Sequence, residues 1–135
     1  MTLHELSQLY YLNREIERDK VRLAELQSKA YEASSPNLSG GGVGGGVSDR
    51  VGGYAAEFSD CEAIIKAKQT QCIHERNRLE RYIADIPDSL TRQIFTLRFV
   101  NGLSWIQVAF GIGGNTTPDG ARMICRRYLE KTEPK

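Results

Sequence analysis

The fold class expected from this sequence is all-α: a long N-terminal helical hairpin, coiled-coil-like over residues 1–86, then three short helices over residues 87–135. Three features lead to it. Apolar residues recur at 3-4 spacing through residues 3–33 and again through about 49–84, which is the pattern of a heptad seam. A glycine-rich run at 34–53 separates the two stripes. After Pro87, each further apolar segment carries helix start or stop signals of its own.

The first stripe is Leu9, Leu12, Ile16, Leu23, Leu26, Ala30 and Ala33, interrupted by Asp19. Mixed charges between them form a solvated face, and Glu25 with Lys29 is a favourably oriented i,i+4 pair. Pro36 and the following glycines cannot continue the helix. That run contains Gly40-x-Gly42-x-x-Gly45. A helix precedes it and no Gly-Lys-Ser/Thr follows, so a flexible linker or hairpin tip is expected there and not a nucleotide loop.

The second stripe is Tyr54, Phe58, Cys61, Ile65, Cys72, Leu79, Tyr82 and Ile86, with Lys68 and Glu75 at seam positions. Ile64, Ile73 and Ile83 are expected to widen it. Each helix is on the order of 45–55 Å long at 1.5 Å per residue. Matched lengths suit an antiparallel hairpin, although the same stripes can pair between chains as a homo-oligomer. The polar seam positions would then set register or oligomeric state.

Pro87 pushes Ile86 out of the helical region. Asp88 or Ser89 caps the next helix, whose apolar side holds Leu90, Ile94 and Leu97, with Phe95 and Phe99 as further candidates, and Asn101-Gly102 closes it. Ser104-Trp105-Ile106-Gln107 is a capping box. The short helix it opens is expected to turn Ile106, Ala109 and Phe110 inward, and Gly111-Ile112-Gly113-Gly114 stops it. Thr117 as N-cap and Pro118 at the first position open the last helix, with Asp119 complementing its dipole. That helix should bury Ala121, Ile124, Cys125 and Tyr128.

The chain carries a formal net charge of +1, unevenly placed: residues 87–135 hold seven basic and four acidic side chains. This modest positive excess suggests an anionic partner. Three cysteines without paired spacing argue against a disulfide framework. Cys72 and His74 have no second ligand pair at zinc spacing, so no metal is expected. No cofactor is implied. No apolar run approaches the ~18 residues that span a bilayer, and residues 1–6 lack a secretory pattern. A cytoplasmic protein without membrane contact is the expectation. His4 and His74 are far apart with no nucleophile in view, and Asp85 and Asp88 flank Pro87 as caps. An enzyme is therefore not expected.

Two short helices joined by a glycine turn, after a third helix, form the helix-turn-helix pattern. A reading helix over about 117–129 would offer Thr116, Thr117 and Asp119 at its start. Arg122, Met123, Arg126, Arg127 and Lys131 follow on its outer side. Polar groups near the N-terminus reach base edges, and arginines hold guanine or phosphate. Arg122, Met123 and Arg126 are the candidate base readers. Thr116, Thr117, Arg127 and Lys131 are the candidate phosphate contacts.

The segment IPDSLTRQIFTLRFVNGLSWIQVAFGIGGNTTPDGARMICRRYLEK, roughly a third of the chain, resembles the promoter-reading C-terminal domain of bacterial sigma factors. The shared features are the Ile-Pro start, "LR-aromatic", "G-L-S-aromatic-x-x-V-A" and an "I-G" turn before a basic helix. The whole arrangement resembles small sigma-like phage and prophage regulators of Gram-positive bacteria. The resemblance implies a transcriptional regulator that binds double-stranded DNA, with Ser104 to Phe110 lying across the backbone and RNA polymerase as a further partner. Three departures stand out: the turn GIGGNTT is longer, Gly120 weakens the first turn of the last helix by about 1 kcal/mol, and no other sigma domain is present. Small terminase subunits, which also join a helix-turn-helix to oligomerising helices, are the alternative class. A polymerase-binding protein module is a third.

Overall fold

The computed structural model describes residues 1–34 and 44–133, and among these every regular element is helical. In chain order they are α1 (Leu3–Leu6), α2 (Gln8–Ser34), α3 (Gly44–Ala84), α4 (Ser89–Phe95), a π-helical turn (Thr96–Val100), α5 (Trp105–Ile112) and α6 (Pro118–Thr132). No helix among them is long and apolar enough to cross a membrane.

The first expected helix is interrupted at Ser7. Thr2 caps α1 with a full capping box: its hydroxyl accepts from the Glu5 amide at 3.2 Å, and its own amide donates to the Glu5 carboxylate at 3.3 Å. The Ser7 hydroxyl donates to the Leu3 carbonyl at 2.8 Å. A serine bonding back to the preceding turn competes with the helix ladder and bends it.

The glycine-rich run expected as a linker over 34–53 is helical in its second half. Residues 35–43 lie outside the described residues, but 44–53 belong to α3. Glycine's penalty of roughly 1 kcal/mol per residue is a local bias only. Extending an existing helix costs no new nucleation.

The chain divides into two compact units, residues 14–70 and residues 1–13 with 71–135. This division differs from the boundary expected between 86 and 87, because the two long helices each contribute to both units.

Within residues 14–70, Ile16, Leu26, Cys61 and Ile65 are buried. Two of the three seam positions that broke the apolar pattern, Asp19 and Lys68, meet one another. Lys68 Nζ donates to the Asp19 carboxylate at 2.6 Å and stands 3.6 Å from Glu15. The Asp19 hydrogen bond and charge hold the Lys68 ammonium above its ordinary value of 10.5. Cys61 Sγ donates to the Asp19 carbonyl at 3.5 Å. Ile64, expected to widen the stripe, is exposed, and so is Val21. Asp19→Ala and Lys68→Ala, alone and combined, are expected to show a coupling of about 0.5–1 kcal/mol, the range of part-exposed ion pairs. Urea unfolding of the three variants measures it, and additive effects would show that the pair contributes no stability.

The other unit is built on one apolar core. Leu6 and Leu9 from the N-terminus, Leu79, Ile83 and Ile86 from the end of α3 and its exit, and Ile94, Phe95, Phe99, Val108, Ala121, Cys125 and Leu129 from the later helices are all buried together. Phe95 sits at its centre, with ring centroids 5.3 Å from Phe99, 5.4 Å from Tyr128 and 6.4 Å from Tyr82. Ile83 widens the α3 stripe as expected, whereas Ile73 is exposed. Leu90 is at the rim, 37% exposed, so the floor under the last two helices is Ile94 with the half-buried Leu97.

Asp88, not Ser89, caps α4: its carboxylate accepts from the Thr91 amide at 3.1 Å and the Thr91 hydroxyl at 2.7 Å. Those bonds hold the Asp88 carboxyl below its ordinary 3.8. Arg92 closes the corner by donating to the carbonyls of Ile86 at 2.7 Å and Pro87 at 3.1 Å.

Candidate nucleic-acid interface

The last two helices are where the sequence places the site. The Ser104 capping box is present. The Ser104 hydroxyl accepts from the Gln107 amide at 3.3 Å, and the Gln107 side chain accepts from the Ser104 amide at 2.9 Å. The inward face of α5 differs from the expected one. Val108 and Ala109 are buried, with Trp105 and Ile112 half-buried beside them, whereas Ile106 is 73% and Phe110 89% exposed. Trp105, Val108, Ala109 and Ile112 fall at i, i+3, i+4 and i+7, so they make one stripe. A helix with this many apolar residues offers two phases, and packing selects one of them. Gly111 permits the close approach: a Cβ there would lie 3.2 Å from Leu97.

Gly113 and Gly114 link α5 to α6 with φ of 81° and 62°. Both are left-handed values that side chains other than glycine adopt at a cost. The Thr116 amide then donates to the Gly113 carbonyl at 3.4 Å. The turn is thus a defined glycine corner, and it leads directly into the α6 cap. The Thr117 hydroxyl accepts from the Gly120 amide at 2.9 Å, with Pro118 following at the first helical position.

On α6, Ala121, Cys125 and Leu129 are buried and Ile124 and Tyr128 half-buried. The expected binding residues divide around this core stripe. Arg122 and Arg126, one turn apart, flank its Cys125–Leu129 side; Arg127 and Lys131, also one turn apart, lie beyond its Ile124 side. All four are exposed, as are Asp119 and Thr117, while Thr116 and Met123 are half-buried. Arg122 stands 3.6 Å from Asp119, and Arg126 Nε donates to Glu130 at 3.0 Å. The outermost line of α6 is therefore Asp119, Met123 and Glu130, with a basic edge on either side.

One functional candidate was missed in the sequence. Arg98, in the π-helical turn, places its guanidinium 4.7 Å over the Trp105 ring and donates to the Leu103 carbonyl at 2.8 Å. It lines the same groove of about 500 Å³ as Arg122 and Arg126. A third cation joins those of α6 there, brought in by tertiary packing from 24 residues upstream of Arg122. The "LR-aromatic" segment that contains it is part of the sigma-like resemblance, which assigns Arg98 no role.

Cys125 forms part of that groove's floor. Burial pushes its thiol from 9.0 up to about 11, against a smaller lowering by the Arg98 charge. Buried thiols are inert, so a thiol reagent at pH 8 should label native Cys72 and leave Cys125 unmodified until the chain unfolds. The neutral form is the one favoured by folding. Its contribution to stability is complete below about pH 9 and is lost as pH rises through about 11. Unfolding midpoints between pH 8 and 11, compared with Cys125→Ala, should show this difference in slope. Equal slopes would remove the assigned cause. Among the described residues, no group of three or more His, Cys, Asp or Glu side chains could hold a metal ion.

These features define an all-helical chain with a basic, well-capped C-terminal helix beside a shorter one. No family model, no curated protein and no solved structure matches the chain.

Proposed function

We propose that this chain is a sequence-specific DNA-binding transcriptional regulator of phage or prophage genes, in which α5 and α6 act as a helix-turn-helix and α6 enters the major groove. The supporting observation is α6 itself. It is capped at Thr117, anchored by Ala121, Cys125 and Leu129, and edged by exposed Arg122, Arg126, Arg127 and Lys131. In this reading Arg122, Arg126 and Met123 contact bases, while Thr116, Thr117, Arg127 and Lys131 hold phosphates. Asp119 stands at the helix start, close enough to Arg122 to orient it. The phage assignment comes from the sigma-like resemblance. The paired long helices set oligomeric state as a coiled-coil hairpin, within one chain or between two. No catalytic step, metal or cofactor enters this reading, and the protein would act in the cytoplasm.

A second reading is favoured by one observation. Ile106 and Phe110 expose two large apolar side chains, one turn apart, on the outer face of α5, and such patches mark protein contacts. A polymerase-binding module would use that face. The test is a mobility shift with footprinting on regulatory DNA from the host genome of this gene, at low salt and then across a salt series. Protection of a discrete site with steep salt dependence supports the regulator. Polymerase capture without any DNA shift supports the module. A mass corresponding to a ring of eight or more subunits would instead favour a packaging role, as in small terminase subunits.

A further inference from the structure

We propose that the N-terminal segment, through Tyr11 with Ser7 and Leu3, forms a second wall of the DNA interface and contacts the sugar–phosphate strand beside α6. The proposal rests on the DNA-binding reading above and extends it to a part of the chain outside the sigma-like segment. Leu6 and Leu9 are 0% and 3% exposed and lie in the same core as Ala121, Cys125 and Leu129. The first eleven residues are therefore fixed to the unit that carries α6. Their outward positions Leu3, Ser7 and Tyr11 follow one another at i, i+4 and i+8, along one face. Leu3 is 55% and Tyr11 58% exposed.

These three side chains line the groove of about 500 Å³ whose other residues include Arg122 and Arg126. Any polymer strand lying against those two arginines thus has Tyr11 as a neighbour. The groove also matches the chemistry of one particular occupant. Its floor is apolar, with Phe99, Cys125 and Leu129, and Arg98 adds a third guanidinium. A sugar–phosphate strand presents both deoxyribose C–H surface and anionic oxygens; with Arg122 and Arg126 turned to bases, Arg98 and the Tyr11 hydroxyl are the groove's donors for phosphate. Glu130 and Glu133 also line the groove. Glu130 is engaged by Arg126 at 3.0 Å. Arg98 has no carboxylate within 4.0 Å among the described residues, whereas Arg76, Arg78, Arg122 and Arg126 each have one. With Glu133 also in the lining, the groove holds three guanidiniums against two carboxylates, a net charge of +1.

The experiment uses the full chain and a labelled random-sequence duplex of about 30 base pairs, read by fluorescence anisotropy at low salt, where phosphate contacts dominate binding. Tyr11→Ala should weaken binding roughly fivefold, about 1 kcal/mol. Tyr11→Glu should weaken it by more than about tenfold, because a carboxylate would face the phosphates. Ile73→Glu is the control: it makes the same charge change at an exposed position outside the groove. Thermal melts check that all three variants are folded, as exposed positions should allow. If Tyr11→Glu weakens binding no more than Ile73→Glu, the effect is general charge and the proposal is overturned while the DNA reading stands. If Tyr11→Ala binds tighter than the wild type, the segment occludes the groove, which also overturns it. If the wild-type chain fails to bind the duplex, the DNA reading itself falls.

Discussion

Replacing Arg122 and Arg126 together by alanine is expected to abolish site-specific binding, with affinity for the target DNA falling by two to four orders of magnitude. A good bidentate base contact is worth about 1–3 kcal/mol of discrimination, and the two side chains proposed to make one each lie one turn apart on the same edge of α6. Stability should barely change. Both side chains are exposed. The substitutions remove only the surface pairs with Asp119 and Glu130, each worth roughly 0.2–0.5 kcal/mol. Alanine is also the better helix former. The measurement is a footprint titration of the double variant against wild type, with a thermal melt beside it. Arg127→Ala supplies the contrast. As a phosphate contact it should weaken binding uniformly across sequences and lower the salt slope by about 1. Retained affinity in the double variant would show that α6 is not the reading helix. Ile106 and Phe110 on α5 would then be the face to test next.

Phe95→Ala is the substitution expected to cost most stability, about 3–5 kcal/mol. Phe95 is 0% exposed and meets aromatic rings from three directions: Tyr82 on α3, Phe99 in the π-helical turn and Tyr128 on α6. Its removal leaves a cavity where those elements join, and no single neighbour can move to fill it without opening another gap behind itself. Domains of this size have only about 5–15 kcal/mol of net stability. The variant should therefore show a large fall in denaturant midpoint, and DNA affinity should disappear with the fold. Phe95→Leu, which keeps much of the volume, should recover a good part of it. A stability change of less than about 1 kcal/mol would mean that the C-terminal helices do not share one core.

Helices and caps were legible in the sequence because their causes are local. Asp88, Ser104 and Thr117 each cap within three residues of themselves, and the bonds are present. The α2 seam was equally legible. Its apolar positions Leu9, Ile16 and Leu26 are buried, because period alone decides which face of a long helix is apolar. The interrupting residues Asp19 and Lys68 were visible as exceptions. That they answer one another was not visible, because 49 residues separate them. The phase of α5 was also beyond local reasoning. Trp105, Ile106, Val108, Ala109, Phe110 and Ile112 are all apolar, and the single polar residue Gln107 is too little to mark the outside. Burial of Val108 in the shared core, with Gly111 set close against Leu97, makes the choice.

The candidate site divides along the same line. The all-helical class, the cap at Thr117, and the exposure of Arg122, Arg126, Arg127 and Lys131 all follow from spacing within one helix, and so could be read from the residues in order. Three further facts came only from the folded chain. Arg98 joins the arginines of α6, Leu6 and Leu9 enter the same core as Cys125 and Leu129, and Tyr11 thereby stands at the edge of the groove. A seam repeating every seven residues specifies which face is buried but not what buries it. Leu9 and Leu23 occupy equivalent seam positions two heptads apart, and only the cores they face distinguish them.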